Sequence, residues 1–309
     1  MNEIISDVQR HEWRKMYLSN RYLSQLKKSE LESRLDDILL NMLVFSEDGL
    51  PSFNQTIQMK GLVERFIHLD EEGIQRGNPI PNNLLEDASR YLCKYQNVRR
   101  AIKAWGNREP IMGEYLVKFS KRKYLTQMID SGKIRVNPAS FYDDPSLNQA
   151  VQDKELSQIL VLPQGTNLKR KMGSGNYKEI EGILNISLTK KSPTDFYVYC
   201  MTKLYQHRLF DDFNADACLL IYDINKFTKR FLDYLKKDYS DWLLASGEVY
   251  YYDPFFPISP SNIPFNKHFR FWYQSEYRIV FEPKNPVEIL KPVDLEIGQL
   301  DDCCELIFL

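Results

Sequence analysis

The chain has 309 residues, and 41 Lys and Arg stand against 42 Asp and Glu; the net charge of −1 excludes a global field for nucleic acid but leaves room for a local basic patch. A hydrophobic content of 43%, with 17 Phe and 19 Tyr, excludes a disordered chain and allows two domains, or one with a large extension. Five cysteines without a CxxC spacing and four scattered histidines argue for a reducing cytoplasm, against a disulfide framework and against a metal centre. The opening residues carry no basic region followed by a long apolar run, so no signal peptide is read. Apolar runs such as 217–224 are too short to span a bilayer, and no membrane contact is expected.

Residues 1 to about 110 read as helical. Leu23, Leu26, Leu35, Ile38, Leu39, Met42 and Leu43 recur at helical spacing, and Gly49-Leu50-Pro51 ends that helix. Ile57, Val63, Phe66, Ile67 and Leu69 predict a second helix, broken between Gly73 and Pro81. A third begins after Pro81-Asn82-Asn83, where an Asn can cap, and runs from Leu84 to Trp105 and Gly106. Such a region either buries its own stripes as a bundle or docks and regulates, and its residues do not separate the two.

The character changes at 108–113, where a domain boundary is placed between residues 1–110 and 111–309. Glu114 to Phe119 reads as a strand. Ser120 is a plausible N-cap for a helix with Tyr124, Leu125, Met128 and Ile129 inward and Lys121, Arg122 and Lys123 outward. Ser131-Gly132 stops it, and Lys133 to Asn137 is the next strand. Pro138 to Pro145 is rich in turns, and a polar helix is expected from about Ser146 to Gln158. The loop from Gly165 to Tyr177 is basic and glycine-containing, but it fits no phosphate-binding motif and reads as a solvated hairpin tip. Strands follow at Glu179–Leu188, Asp195–Thr202 and Ala217–Ile224, then an amphipathic helix over Asn225–Tyr239 and a strand over Gly247–Tyr252. A Pro-rich loop with Phe255, Phe256 and Phe265 spans Asp253 to Lys267. Val287–Leu290 and Glu305–Leu309 complete an α+β region.

The stretch Phe269 to Phe281 is dense in aromatic and β-branched residues and reads as one strand. Alternation would put Phe271, Tyr273, Ser275, Tyr277, Ile279 and Phe281 on a core face. Arg270, Trp272, Gln274, Glu276 and Arg278 would form a polar cleft wall, with Gln274 and Glu276 roughly 7 Å apart. A carboxylate on such a wall can stabilise an oxocarbenium-like sugar. A nicotinamide leaving group needs no second carboxyl acid, because it departs as a neutral base. An amide two residues earlier can position an acceptor. The bland alternative is that Glu276 only pairs with Arg278 or Lys267 on an exposed sheet face. Lys118 could hold a pyrophosphate, Thr202 could orient the glutamate, and Tyr142 could stack on a nicotinamide ring, while Asp143-Asp144-Pro145 marks a turn. Cys200 lacks a placed base and has little support as a nucleophile. Lys118, Lys121, Arg122, Lys123, Lys133 and Arg135 could meet nucleic-acid phosphate or form a solvated face.

Taken together, the order of these features resembles the ADP-ribosyltransferase toxin superfamily over roughly residues 113 to 285. It is similar in particular to an uncharacterised bacterial group with a Lys-Tyr or Lys-Phe first strand, an Asn-Asp-Pro turn, a Cys-x-Ser strand and a late Glu-Tyr-Arg. Here these read Lys118-Phe119, Asp143-Asp144-Pro145, Cys200-Met201-Thr202 and Glu276-Tyr277-Arg278. The resemblance leaves the helical N-terminal region, read from its periodicity, unaccounted for; after it, the resemblance implies a split β-sheet domain that grips NAD, which is consumed as substrate. It implies Glu276 as catalytic glutamate and Gln274 as the residue orienting the target. Lys118, Phe119, Tyr142, Asp143 and Thr202 would contact NAD, and the loop 253–267 would read the acceptor. Lys118 replaces the usual arginine or histidine, and Cys200-Met201-Thr202 the usual Ser-Thr-Ser. Gln at position 274 goes in that superfamily with asparagine or nucleobase targets, so RNA or DNA is the favoured acceptor over a protein side chain. The helical region would regulate the enzyme or dock a partner such as an antitoxin. An NAD glycohydrolase and a non-catalytic binding module of the same fold are the alternatives.

Overall fold

A computed structural model describes residues 5–309 except 57–58, 82, 110, 112, 163–168, 174, 180–185 and 257–261. Expectations that fall on Ile57, Asn82, Gly165 and parts of the 179–188 and 253–267 segments therefore lie outside the described residues. The fold is α+β with several antiparallel sheets and one parallel pair, residues 250–252 with 266–268. No helix among the described residues is long and apolar enough to cross a membrane.

The first hundred residues hold α1 (Asp7–Ser19), α2 (Lys28–Met42), the hairpin β1 (Leu43–Phe45) and β2 (Pro51–Phe53), α3 (Lys60–Gln75) and α4 (Val98–Trp105). Helix α1 escaped the sequence reading, although Ser6 caps it by accepting from Gln9 N–H and Trp13 and Tyr17 bury one helical stripe. The first predicted helix is shorter than expected. Leu23 and Leu26 lie in turns ahead of α2, and Leu43-Val44-Phe45, a β-favouring run, turns back through Gly49 at φ 73°. The third predicted helix shrinks to α4. Its first half is turns with a 3-10 segment at Ser89–Tyr91, where the Asp87 side chain takes the Ser89 N–H a helix would have used. One core joins these elements and also takes Phe269 from far along the chain.

Beyond residue 114 come β3 (Leu116–Ser120), α5 (Arg122–Ser131), β4 (Lys133–Pro138), β5 (Ser157–Leu162), β6 (Lys169–Lys171), β7 (Tyr177–Glu179), β8 (Ile186–Lys191), β9 (Tyr197–Thr202), α6 (Leu209–Asp212), β10 (Ala217–Ile221) and α7 (Ile224–Asp238). The chain closes with β11 (Trp242–Glu248), β12 (Tyr250–Tyr252), β13 (Asn266–His268), β14 (Glu276–Pro283), β15 (Val293–Glu296) and β16 (Cys304–Phe308). The main sheet runs β11-β14-β9-β3-β10-β16, and β4 joins it through β9 while carrying β15 on its other edge. Helices α5 and α7 cover one face, burying Leu125, Met128, Phe227, Phe231 and Leu235 against Tyr199, Leu219, Ile279 and Phe281. Helices α4 and α6 cover the other, burying Ala101, Trp105, Leu209 and Phe210 against Val117, Phe119 and Cys218.

Several local expectations are corrected. Ser120 ends β3 and does not cap α5; Lys121 holds the cap position, and Asp216 accepts the Arg122 N–H. Tyr124 is exposed rather than inward. Gly132 does end α5, at φ 70°, and a Cβ there would collide with the backbone of Gly298. Residues 146–156 form turns, not a helix, because Asp144, Asn148 and Asp153 side chains capture the N–H groups of Ser146, Ala150, Val151 and Lys154. Val287–Leu290 is no strand; the Val287 N–H goes to Thr194 Oγ1 and the Leu290 N–H to Asp195 Oδ2.

Candidate active site

The largest correction falls on 269–281. Phe269–Gln274 is a 3-10 turn, Ser275 sits in the left-handed region at φ 46°, and only Glu276 onward is strand. Aromatic density mimics a strand, but here Phe269, Phe271 and Tyr273 are buried from a 3-10 turn, Phe269 in the core with α2 and α3 and Tyr273 in the core with α4 and α6. The predicted wall of alternating polar residues therefore does not exist as such. A non-glycine left-handed residue costs on the order of 1 kcal/mol and re-aims the chain at the first residue of β14. That residue is Glu276.

From there the strand alternates. Tyr277, Ile279 and Phe281 lie opposite Met201, Tyr199 and Tyr197 of β9 and face the core. Glu276 and Arg278 lie opposite Thr202 and Cys200 on the other face. Next to β9, the sheet forks. Strand β3 pairs with β9 only at Val117 and Thr202, while the far end of β9 pairs with β4 at Asn137 and Pro138. Lys118 stands at this fork. Its ammonium donates to the Cys200 carbonyl at 2.7 Å and lies 4.5 Å from the centre of the Tyr199 ring. Burial lowers its pKa, with Cys200 and Glu276 opposing, and no carboxylate among the described residues lies within ion-pair distance.

Two cavities meet at the fork. One, of about 490 Å³, is lined by Lys118, Phe119, Tyr142, Glu155, Thr202, Gln274 and Glu276 among others. The second, of about 410 Å³, lies under α5, and the two share Lys118, Ser120, Asn137 and Tyr142. Both have the size of small-molecule sites. The larger thus gathers six of the seven residues singled out in the sequence. Asp143 is the exception: it is exposed and lines neither cavity. Phe119 is a wall, its ring set edge-on to Phe210 at 5.0 Å. The Thr202 hydroxyl donates to the Leu204 carbonyl at 2.9 Å, closing the turn after β9, and makes no bond to Glu276. Burial pushes the Cys200 thiol up to about 12, which disfavours the thiolate that a nucleophile needs.

Glu276 is 6% exposed, so the pairing on an exposed sheet face does not apply, although both proposed partners are there. Lys267 Nζ donates to its Oε1 at 2.6 Å and Arg278 Nε to its Oε2 at 2.9 Å. Burial alone would raise this carboxyl; Lys267 and Arg278 outweigh it and hold the group ionised, below the ordinary carboxylate range. Arg278 in turn grips Glu155 through two bonds of 2.8 and 2.7 Å. Glu155 was missed by sequence reasoning. It lies in the segment mistaken for a polar helix, 121 positions before Glu276, and no spacing rule links the two.

Gln274 is 1% exposed, and both hydrogens of its amide are used. Its Oε1 accepts from Lys267 Nζ at 3.0 Å, while Nε2 donates to the Ala150 carbonyl at 2.7 Å and to Tyr273 Oη at 3.3 Å. In this arrangement Gln274 bonds Lys267, which also bonds Glu276, while Gln274 Oε1 keeps one lone pair. The described start of the Phe-rich loop packs on the helical region. Phe255 and Phe256 pack on Tyr22 of the helical region, and Arg34 and Arg65 lie over their rings. Comparison with protein-family models, curated proteins and solved structures found no match. The reading of the site rests on its own geometry.

Proposed function

We propose that the chain is a toxin-type mono-ADP-ribosyltransferase with a split-sheet fold, moving ADP-ribose from NAD to a macromolecular acceptor. The observation that carries this reading is the fork itself. Adjacent strands β3, β9 and β14 bring Lys118, Thr202 and an ionised Glu276 to one cavity that continues into a second, as a two-base substrate requires. Each Glu276 oxygen bonded to a cation keeps a lone pair for a ribose hydroxyl. As the C1′–N bond lengthens, the carboxylate stabilises positive charge on the sugar, and the bonding pair leaves with neutral nicotinamide. The acceptor's nucleophile then bonds C1′ and releases its proton to water. Lys118 would meet the pyrophosphate and Tyr142 the nicotinamide edge of the cavity.

A nucleic-acid acceptor is favoured by the basic start of α5, where Lys121 lines the cavity mouth beside exposed Tyr124. The bonded NH2 of Gln274, which has no hydrogen left for an acceptor, favours a second reading, an NAD glycohydrolase with water as acceptor. Incubation with NAD labelled in its ADP-ribose, together with separate RNA, DNA and protein fractions, tests all of this. Label in RNA or DNA is the expected result, and label only in protein would sink the acceptor assignment. Free ADP-ribose alone identifies the hydrolase. Absence of nicotinamide release under every condition leaves a non-catalytic binding module.

A further inference from the structure

We propose that Asn41 is a positioning residue for this site: from α2, its single amide holds both ends of the 3-10 turn that carries Gln274 and delivers Glu276. Asn41 Nδ2 donates to the Phe269 carbonyl at 3.0 Å, and its Oδ1 accepts the Tyr273 N–H at 2.7 Å. A further bond from Nδ2 to the Asp37 carbonyl, at 2.8 Å, fixes the amide on its own helix. The side chain is buried. A carboxamide offers donors and an acceptor on one planar group, so one residue can bracket the turn. Such a bracket has work to do, because 3-10 turns have poor internal hydrogen-bond geometry and this one spans six residues.

The neighbouring contacts point the same way. Arg34, also on α2, lies 4.9 Å from the centre of the Phe269 ring, where the turn begins. Arg208, next to α6, donates to the Leu40 carbonyl at 2.6 Å and lies 4.1 Å from the centre of the Tyr273 ring, where the turn ends. Gln274 follows Tyr273 directly, and Lys267 ties Gln274 to Glu276. A shift of the turn is therefore transmitted to the carboxylate through two hydrogen bonds. The helical region is by this argument a brace for the site, a role distinct from bundle or docking module.

The inference rests on Glu276 acting on NAD, and the test separates the two. In Asn41→Ala, amide hydrogen exchange over residues 269–276 should rise. The kcat for nicotinamide release should fall about ten- to a hundredfold with KM for NAD within about twofold, because small misplacements of reacting groups carry such penalties. Asn41→Asp keeps the acceptor for Tyr273 N–H, loses the donor, and should be intermediate; it serves in addition if the alanine variant folds poorly. Arg14→Ala, which removes ion pairs to Asp70 and Glu71 away from the turn, controls for general destabilisation and should leave kcat unchanged. Unchanged exchange in Asn41→Ala overturns the brace, and so does raised exchange with unchanged kcat or an equal kcat loss in Arg14→Ala. If the wild-type chain releases no nicotinamide, the transferase reading fails, while raised exchange in both Asn41 variants, absent in Arg14→Ala, still upholds the bracket.

Discussion

Asp253 and Glu276 are both buried carboxylates set between two cations, yet their surroundings differ. Asp253 takes Arg34 through bonds of 2.6 and 3.2 Å and Arg65 at 2.6 Å, with Phe255, Phe256 and Phe269 against the guanidinium groups. It lines neither cavity of the site. Glu276 has Lys267 and Arg278, but a second carboxylate, Glu155, shares both cations, at 3.9 and 2.7 Å. Glu155, Lys267 and Glu276 all line the larger cavity. A buried ion pair by itself marks no active site. What distinguishes Glu276 is open volume beside an ionised oxygen and a counter-carboxylate that divides the hold of its cations.

Removing a cation on the site side is the hardest way to break this comparison. Arg278→Met strips Glu155 of its main partner and Glu276 of one of its two cations, and a cost of about 3–5 kcal/mol is expected in denaturant unfolding. Glu276→Gln keeps the shape and removes the charge. Nicotinamide release should fall by about 10²–10³, comparable with the loss of one preorganised electrostatic group, while circular dichroism stays unchanged. If release persists, Glu276 is a structural carboxylate like Asp253, and the comparison collapses.

The acid limb of stability sharpens the Asp253 side. Burial alone would raise that carboxyl, but Arg34 and then Arg65 draw it down to about 2. Since this lies below the unfolded value of about 4, the stabilisation is complete above that pH and lost as pH falls toward 2. Asp253→Asn should flatten the pH dependence of Tm over that window and lower Tm above it. A smaller effect is expected at the fork, where Lys118→Met should raise KM for NAD about tenfold through loss of one charge-assisted contact. Smallest of all, Asp143→Ala should leave KM unchanged and stability within about 0.5 kcal/mol, as an exposed residue outside both cavities.

How much of this was legible follows from the range of the interactions involved. Strand β3, helix α5 with its glycine stop, strands β4, β9 and β10, and helix α7 were readable, because hydrophobic period and caps act over a few residues. Glu276 was singled out from its neighbours in the chain. Tertiary packing decided the rest. A run of aromatic residues reads as strand by composition, whereas 269–274 is a 3-10 turn with Phe269 in the core of α2 and α3 and Tyr273 in that of α4 and α6. Asx contacts at 144–154 dissolved a plausible polar helix and put Glu155 under Arg278. Asn41, Glu155 and Lys267 lie far apart in sequence, and no local pattern announces a hydrogen bond across 232 positions. The sequence by itself pointed to Glu276 through the resemblance of Glu276-Tyr277-Arg278 to a superfamily motif, since local alternation left it as one polar residue among five on a strand face. The tertiary structure decided that this carboxylate is ionised, held by two cations and open to a cavity, because those properties depend on groups that only folding brings together.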